Sequence, residues 1–517
     1  MGENNLARNY KEDPFETLLN NTAAARTIAR AVEGTIGPKG LDVMMVDNFG
    51  NIVVTNDGIT ILMLMDVSHP IAHMIINTAR AQQSEVGDGT TTAVIIAGAL
   101  IAEGTEQILK GVPVTRVIEG IKMGTDRALA YLDAVSNPIT GLHDPMLHNI
   151  ALIAGRGDDD LATMVVAGTK KMGREKLNDS DYKFPEAVIA QEFAISDMFS
   201  GVLINRLPAG KELPGRINEA RILVVDDALK PDEIDGQSLS TEAGFRHYLQ
   251  TREEFMANLG RLSETGINVV VTSGAVDDTG EHLLTQAGIY VLQRVSAKEI
   301  ERLCKYTGAR RARRNVLYDE NEVLKYSGAA GEVIADEKMG YTYILSGQGQ
   351  EWVTLLIGAA TEEIVDEKER MAKDAAASVQ ASIKGGIVPG GGATEIWIAE
   401  QMEDLAREHP GLESYGILCV KEALTKPFCC MAANAGFNPL EKLGEALTTQ
   451  KRHNSPRFSF DSESGKIIDV LAAGIVDPTL AKAYAFKAAA EVAAAVLRIN
   501  AVIRMQSDND LSINYQD

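Results

Sequence analysis

Disulfides cannot organise this chain, because its 517 residues hold four cysteines and two of them, Cys429 and Cys430, are adjacent. Such usage suits a reducing cytosol, and a cytoplasmic location is the expectation. The Walker pattern G-x4-G-K-[ST] is absent: GTIGPKG at 34–40 has the lysine but no Ser or Thr after it. A Rossmann G-x-G-x-x-G following a strand is absent too, so a nucleotide, if bound, sits in another frame. The opening MGENNLARNYKEDPFETLLNN lacks the apolar core of a signal peptide. No apolar run reads as approaching the roughly 18 residues of a membrane helix, so no membrane partner is expected. Positive charge is scarce: 72 acidic against 50 basic residues give −22, which weighs against general nucleic-acid binding. The one exception is GARRARRNV, where Arg310, Arg311, Arg313 and Arg314 cluster. Such a run can hold phosphate, but a solvated or salt-bridging edge is the commoner reading, and no nucleic-acid partner is expected.

What is present is an ordinary globular composition, 45% apolar and 24% charged, on a chain long enough for roughly two to four domains. Residues 15–34, 70–84, 90–109 and 114–135 read as helices by apolar spacing. LDVMMVD, NIVVTND and ITILMLM between the first two read as short strands separated by Gly and Asn turns. In the middle, strand-like runs at 221–229, 267–275, 288–295 and 352–360 alternate with helical stretches at 241–264, 279–287 and 296–307, which predicts an α/β domain. Residues 226–255 carry eight acidic and three basic side chains and read as a projection from that core. After Glu362 the chain is helical again. Its Ala-rich end, interrupted by Lys482, Lys487, Glu491 and Arg498, reads as a buried packing helix. Helical ends around an α/β middle indicate one domain inserted in another, with both chain ends in the same body.

The chemistry centres on EVGDGTTTAVIIAGALIAEG, residues 85–104. Gly87 and Gly89 let backbone approach a phosphate, Thr90, Thr91 and Thr92 add hydroxyls, and a helix N-terminus attracts anions. Asp88 would repel phosphate unless a magnesium ion lay between them. The alternative is a turn with an Asp or Thr cap. In VVTNDGITIL, Asn-Asp-Gly between strand-like runs favours a hairpin; the other reading makes Asp57 a carboxylate that orients or activates water. VPGGGATE (388–395) is a glycine turn that either passes a ligand or joins two helices. Asp374 is one acid among several on the preceding helix.

In order along the chain, GTIGPKGLDVMMVD, TNDGITIL, HPIAHMI, EVGDGTTTAVIIAGALI, GIVPGGGATE, AANAGFNPLEKL and GIVDP resemble the chaperonins. The middle, GINVVVTSGAVDDTGEHLLTQAGIYVLQRVSAKEIERLCKYTGA, resembles the group II apical region of thermosomes and the eukaryotic cytosolic chaperonin. The resemblance covers essentially the whole chain. It implies a multidomain α and α/β subunit: an equatorial ATP-binding domain (1–136 and 390–517), an intermediate hinge domain (137–200 and 361–389), and an apical substrate-binding domain (201–360) with a built-in lid protrusion near 226–255. It further implies an ATPase that folds non-native protein clients inside a stacked double ring, expected to be a homo-oligomer, with no separate lid co-chaperonin.

By position, the resemblance makes Asp88 the Mg2+ ligand and Gly87, Gly89 and Thr90–Thr92 the phosphate loop. Thr35, Ile36, Gly37 and Pro38 become a second loop lining ATP, and Gly391 and Asp477 contacts to the ribose and base end. Asp57 and Asp374 become the pair that positions and activates water, Asp374 arriving from the hinge domain. Two departures point to a divergent branch, the bacterial one sometimes separated as group III. Arg156, in ALIAGRGDDD, stands where the family's phosphate-sensing lysine is usual, and the protrusion lacks the usual family wording. A ring-forming holdase or scaffold with little ATP turnover is the alternative. A small-molecule phosphotransferase lacks a recognisable acceptor pocket.

Overall fold

The computed structural model describes residues 14–50, 52–210, 213–231 and 241–503. They form two compact units. One comprises Met1–Val166, Arg174–Pro185 and Arg370–Asp517, the other Ala167–Gly173 and Glu186–Glu369. The second unit is thus inserted within the first, as the sequence pattern implied for the described residues.

The first unit is built around the helix Thr90–Leu109, which packs against the helices Pro14–Glu33, Pro70–Glu85, Glu413–Asn434 and Thr479–Leu497. Contrary to the sequence expectation, Thr90–Leu109 is long and apolar enough to cross a membrane by length and composition. Its apolar side chains, Val94, Ile96, Leu100 and Ile101 among them, are buried in the protein core instead. Small residues make the close packing possible. Ala481, Ala485, Ala489 and Ala493 of the terminal helix are buried, and a Cβ on Gly98 would lie 2.6 Å from that of Ala29.

ITILMLM is not a strand. Gly58–Leu64 is a helix that buries Gly58, Ile61 and Leu62 on one face, and Asp57 caps it. The β-branched run suits either structure locally, but the i, i+3, i+4 burial and the Asp57 cap decide for helix. The predicted Asn-Asp-Gly hairpin is therefore replaced by a strand-to-helix turn. The hairpin that does form lies upstream, Val43–Val46 pairing with Ile52–Thr55.

The second unit carries a nine-stranded mixed sheet among the described residues. On one side, Arg216–Val225, Val269–Thr272 and Tyr290–Leu292 run parallel to one another, and the last two are buried throughout, the pattern of strands covered on both faces. On the other, Asp197–Ile204, Gly328–Asp336 and Tyr341–Gly347 are antiparallel. These three, with Val188–Glu192, were not read from the sequence, because Gly, Ser and charged residues dilute their apolar alternation. The arginine cluster serves structure: Arg311 pairs with Asp226 at 3.7 Å and Glu301 at 3.8 Å, and Arg314 donates to the Lys230 carbonyl at 2.7 Å. Part of the predicted protrusion, 232–240, lies outside the described residues; Glu242–Arg261 is one helix.

Helices Val114–Ala134 and Glu413–Asn434 touch backbone to backbone. A Cβ on Gly120 would fall on the Glu413 carbonyl oxygen and 2.8 Å from Gly416 Cα. Gly120→Val is expected to destabilise the protein by about 1–3 kcal/mol, the usual cost of overpacking. A thermal melt showing no fall in Tm would contradict this contact.

Candidate active site

The phosphate-loop candidate begins with backbone. Gly89 starts the helix Thr90–Leu109 in the left-handed region (φ 77°), and no side chain caps that helix. The Asp88 carboxylate accepts from the Gly89 N–H at 2.5 Å and from Ser378 Oγ at 2.7 Å. A simple Asp or Thr cap is therefore not what is built: no side chain takes the first-turn N–H groups, and the helix end keeps its attraction for anions. Gly87 is also left-handed (φ 77°), and a Cβ there would lie 2.5 Å from that of Ala377. The missing side chain lets the loop lie against the helix Glu362–Gly385. On that helix Asp374, Ala377 and Ser378 share a face by their spacing of three and four.

Asp57 reaches the same place from a third segment. Its Oδ2 accepts from the Thr60 N–H at 3.2 Å and from Thr60 Oγ1 at 2.5 Å. The next residue, Gly58, has Thr91 Oγ1 where its Cβ would be. The carboxyl of Asp374 is held well above the usual carboxylate range. Loss of water is the largest cause, although the residue is only half-buried by accessible surface; repulsion from Asp57 and then Asp88 adds to it. Arg156 and a hydrogen bond from Gln83 offset part of this. Asp88 is likewise raised, first by desolvation, with Asp477 adding repulsion and Ser378, the Gly89 N–H and Lys482 opposing it. Arg156 is exposed and itself left-handed (φ 54°), a conformation uncommon for arginine, between Gly155 and Gly157.

Sequence reasoning missed the cation that holds the far side together. Lys482, 7% exposed, pairs with Asp477 Oδ2 at 2.7 Å and with Glu395. Burial opposes its charge, but Asp477 and Glu395 more than compensate, and its pKa is raised. A lysine in the first turn of an Ala-rich helix, five residues after Asp477, was the available signal. Glu395 lies in the first turn of the helix Ala393–Glu408, directly after Gly391 and Gly392. Gly391 is left-handed (φ 59°), and its carbonyl accepts from Ser459 Oγ at 2.7 Å.

The loop Thr35–Pro38 joins through Met431. A Cβ on Gly37 would lie 2.8 Å from Met431 Cγ, and one on Gly392 3.1 Å from Met431 Cε, so one side chain underlies both turns. Asn434 donates to the Glu33 and Ile36 carbonyls, both at 2.9 Å, and fixes the loop. Thr35 is buried and donates its hydroxyl to the Val32 carbonyl; Gly37 and Pro38 are exposed. Asp57, Asp88, Asp374, Arg156, Asp477 and the turns at Gly37 and Gly391 are thus linked within the first unit.

Among the described residues no group of three or more His, Cys, Asp or Glu is arranged to hold a metal ion. Mg2+ does not need one, since it is commonly held by one or two carboxylates with phosphate and water oxygens. Asp88 fits that role: it stands beside an anion-attracting helix end in a region where Asp57, Asp374 and Asp477 add negative charge.

Residues 28–507 match the TCP-1/cpn60 chaperonin family. The chain belongs to that family. Protein folding is the function this membership carries, with nucleotide binding general to the family. A thermosome subunit of Pyrococcus abyssi is 32% identical over 507 residues, spanning 94% of this chain and 90% of the relative. Thermosome subunit alpha of Archaeoglobus fulgidus is 33% identical over 503 residues, 93% of this chain and 91% of the relative. A crystal structure of a group III chaperonin in the open state is similar with a TM-score of 0.85 and 42% identity, over 95% of this chain and 100% of that one. The group II-type resemblance read from ordered motifs holds for this chaperonin, and the likeness to a group III structure agrees with the divergence noted at Arg156.

Two outcomes follow from the charges. A folded-state carboxyl pKa above the unfolded value near 3.9 means the folded chaperonin retains a proton that the unfolded chain has lost, so stability falls as pH rises through that interval. Asp374→Asn is therefore expected to raise the Tm of nucleotide-free, magnesium-free protein at pH 7–8 and leave it unchanged below about pH 4. A lower Tm at neutral pH would contradict the crowding of the three acids. Lys482→Met leaves the enclosed Glu395 carboxylate and the partly exposed Asp477 without their cation and is expected to cost about 3 kcal/mol, with Lys482→Arg recovering part of it. Equal denaturant midpoints for wild type and Lys482→Met would contradict the pairing.

Proposed function

We propose that this chaperonin is a magnesium-dependent ATPase whose hydrolysis drives enclosure of non-native protein. The observation that carries the reading is the convergence of Asp57 and Asp88 with Asp374, which lies almost three hundred residues further along the chain, beside an uncapped helix N-terminus. A binding scaffold has no need of three mutually repelling carboxylates, since their crowding costs stability that only chemistry repays.

In this mechanism the backbone N–H groups at Thr90–Thr92 bind the phosphates. Magnesium, held by Asp88, would supply charge neutralisation at the phosphate oxygens. Asp57 and Asp374 orient the attacking water, and the raised pKa of Asp374 suits its carboxylate to accept the water's proton. Arg156 supplies positive charge near the same group from a neighbouring loop. The loop Thr35–Pro38, Gly391 and Asp477 line the remainder of the nucleotide.

The same reading divides the chain into equatorial (1–136, 390–517), intermediate (137–200, 361–389) and apical (201–360) parts and places it in the cytoplasm. It makes the molecule a stacked homo-oligomeric double ring with its own lid and no separate lid protein. Support for a lid comes from the helix Glu242–Arg261, which buries Phe255, Asn258 and Leu259 near its C-terminal end and leaves Phe245 and Leu249 exposed in earlier turns. Support for assembly comes from the hairpin Val43–Val46/Ile52–Thr55. Met44, Val46, Ile52 and Val54 are exposed on it, Phe49 at its tip is 92% exposed, and an isolated two-stranded sheet is marginal without a covering surface.

Steady-state phosphate release with and without magnesium tests the proposal. Wild type is expected to turn over only with the metal, and Asp374→Ala to lose at least about a hundredfold, the scale of general-base catalysis. Absent wild-type turnover would leave a ring-forming holdase as the better reading.

A further inference from the structure

The antiparallel side of the second unit's sheet breaks the rule for a sheet with one solvated face. Val333 and Ile344 point to the buried side and are fully enclosed. Their alternates should be polar. Instead Ile334 and Tyr343 face each other across the strand pair, Leu345 follows on the same strand, and Phe199 packs against Tyr343 in a tilted contact with ring centroids 5.4 Å apart at 55°. All four are half-exposed. With Gly215 and the turn after Asp336 they line an open groove of about 610 Å³, within the range of specific binding sites. Gly201 belongs to this face too: a Cβ there would lie 2.7 Å from Leu345 Cδ2 and 3.1 Å from Phe199 Cδ2, so the bare backbone leaves those side chains their places.

The rim is acidic. Asp197, Asp336 and Glu337 line the groove with Lys338 as the single cation. Each aspartate uses Oδ1 on local backbone, Asp197 accepting from Met198 N–H and Asp336 from Lys338 and Met339 N–H. Nearby Glu332 is already paired with Arg216 at 3.2 Å and adds nothing. Desolvation, then Asp336 and Asp197, raise the Tyr343 hydroxyl pKa, which independently brings both carboxylates to the aromatic pair. An apolar floor with aromatic faces and a carboxylate rim suits aliphatic side chains flanked by ammonium or guanidinium groups. A second copy of this chain, at net charge −22, is a poor match for such a rim. The open form suits an extended chain better than an enclosed small molecule.

We propose that this groove binds extended apolar polypeptide segments carrying lysine or arginine, its rim selecting cationic over anionic sequence. In substrate terms this deepens the folding reading, and rests on it, by stating which client segments the second unit holds.

The experiment uses the full-length protein and a short fluorescein-labelled peptide of alternating leucine and lysine, beside a twin with glutamate for lysine. Fluorescence anisotropy is expected to show the lysine peptide bound about tenfold more tightly at low salt, the scale of a few exposed charge pairs. High salt should erode the difference. Asp197→Asn with Asp336→Asn keeps the local backbone hydrogen bonds and should abolish most of the preference, while Asp404→Asn with Glu408→Gln, on the other unit, should not. Equal binding of the two peptides, a preference that survives in the groove variant, or one lost equally in the control variant would overturn the proposal. Phosphate release from the same samples separates the two readings. Wild-type turnover without peptide discrimination overturns the groove alone, whereas discrimination without turnover supports the groove and overturns the ATPase.

Discussion

The approach of Gly87 to Ala377 governs the candidate site. Only a residue without a side chain lets the loop before Thr90 press against the helix Glu362–Gly385, and that contact brings Asp374 and Ser378 to Asp88. Everything else at the site responds to the resulting charge. Asp57 is committed to capping its own helix, Arg156 adds a cation from a strained turn, and Lys482 neutralises Asp477 from behind. The arrangement stores electrostatic repulsion in the free protein, which a cation and a phosphate-bearing ligand together would relieve.

The two units solve different packing problems with different residues. In the first, small side chains on Thr479–Leu497 and glycines at 98, 104, 120 and 416 let helices approach until backbones nearly touch. Such packing is intolerant of added volume, so the loops projecting from these helices are held firmly. In the second, one side of the sheet is covered on both faces and the other keeps an apolar face half open.

Burial keeps the four thiols protonated, Cys429 among them. Cys419 and Cys430 are buried and pushed up to about 12, and Cys304 to about 11, first by loss of solvent. At neutral pH these are packing residues.

By itself, the sequence determined the helical ends, the α/β middle, the long packing helices and the glycine turn that opens the helix at Thr90, because apolar spacing and glycine placement are local signals. It also carried the family, through the order of its motifs. Tertiary structure decided the rest. Asn56-Asp57-Gly58 looked like a hairpin because the β-branched Ile59, Thr60 and Ile61 follow it; burial against the helical core made it a capped helix. Lys482 looked like a break in an apolar surface, and became an enclosed cation because Glu395 and Asp477 fold around it from other segments. The strands at 197–204, 328–336 and 341–347 were illegible because their pairing partners, not their own composition, hold them extended. Asp374 was one acid among several on its helix. Its distinction comes from Asp57 and Asp88, which only the folded chain brings within reach, since long-range charge contact leaves no trace in local spacing.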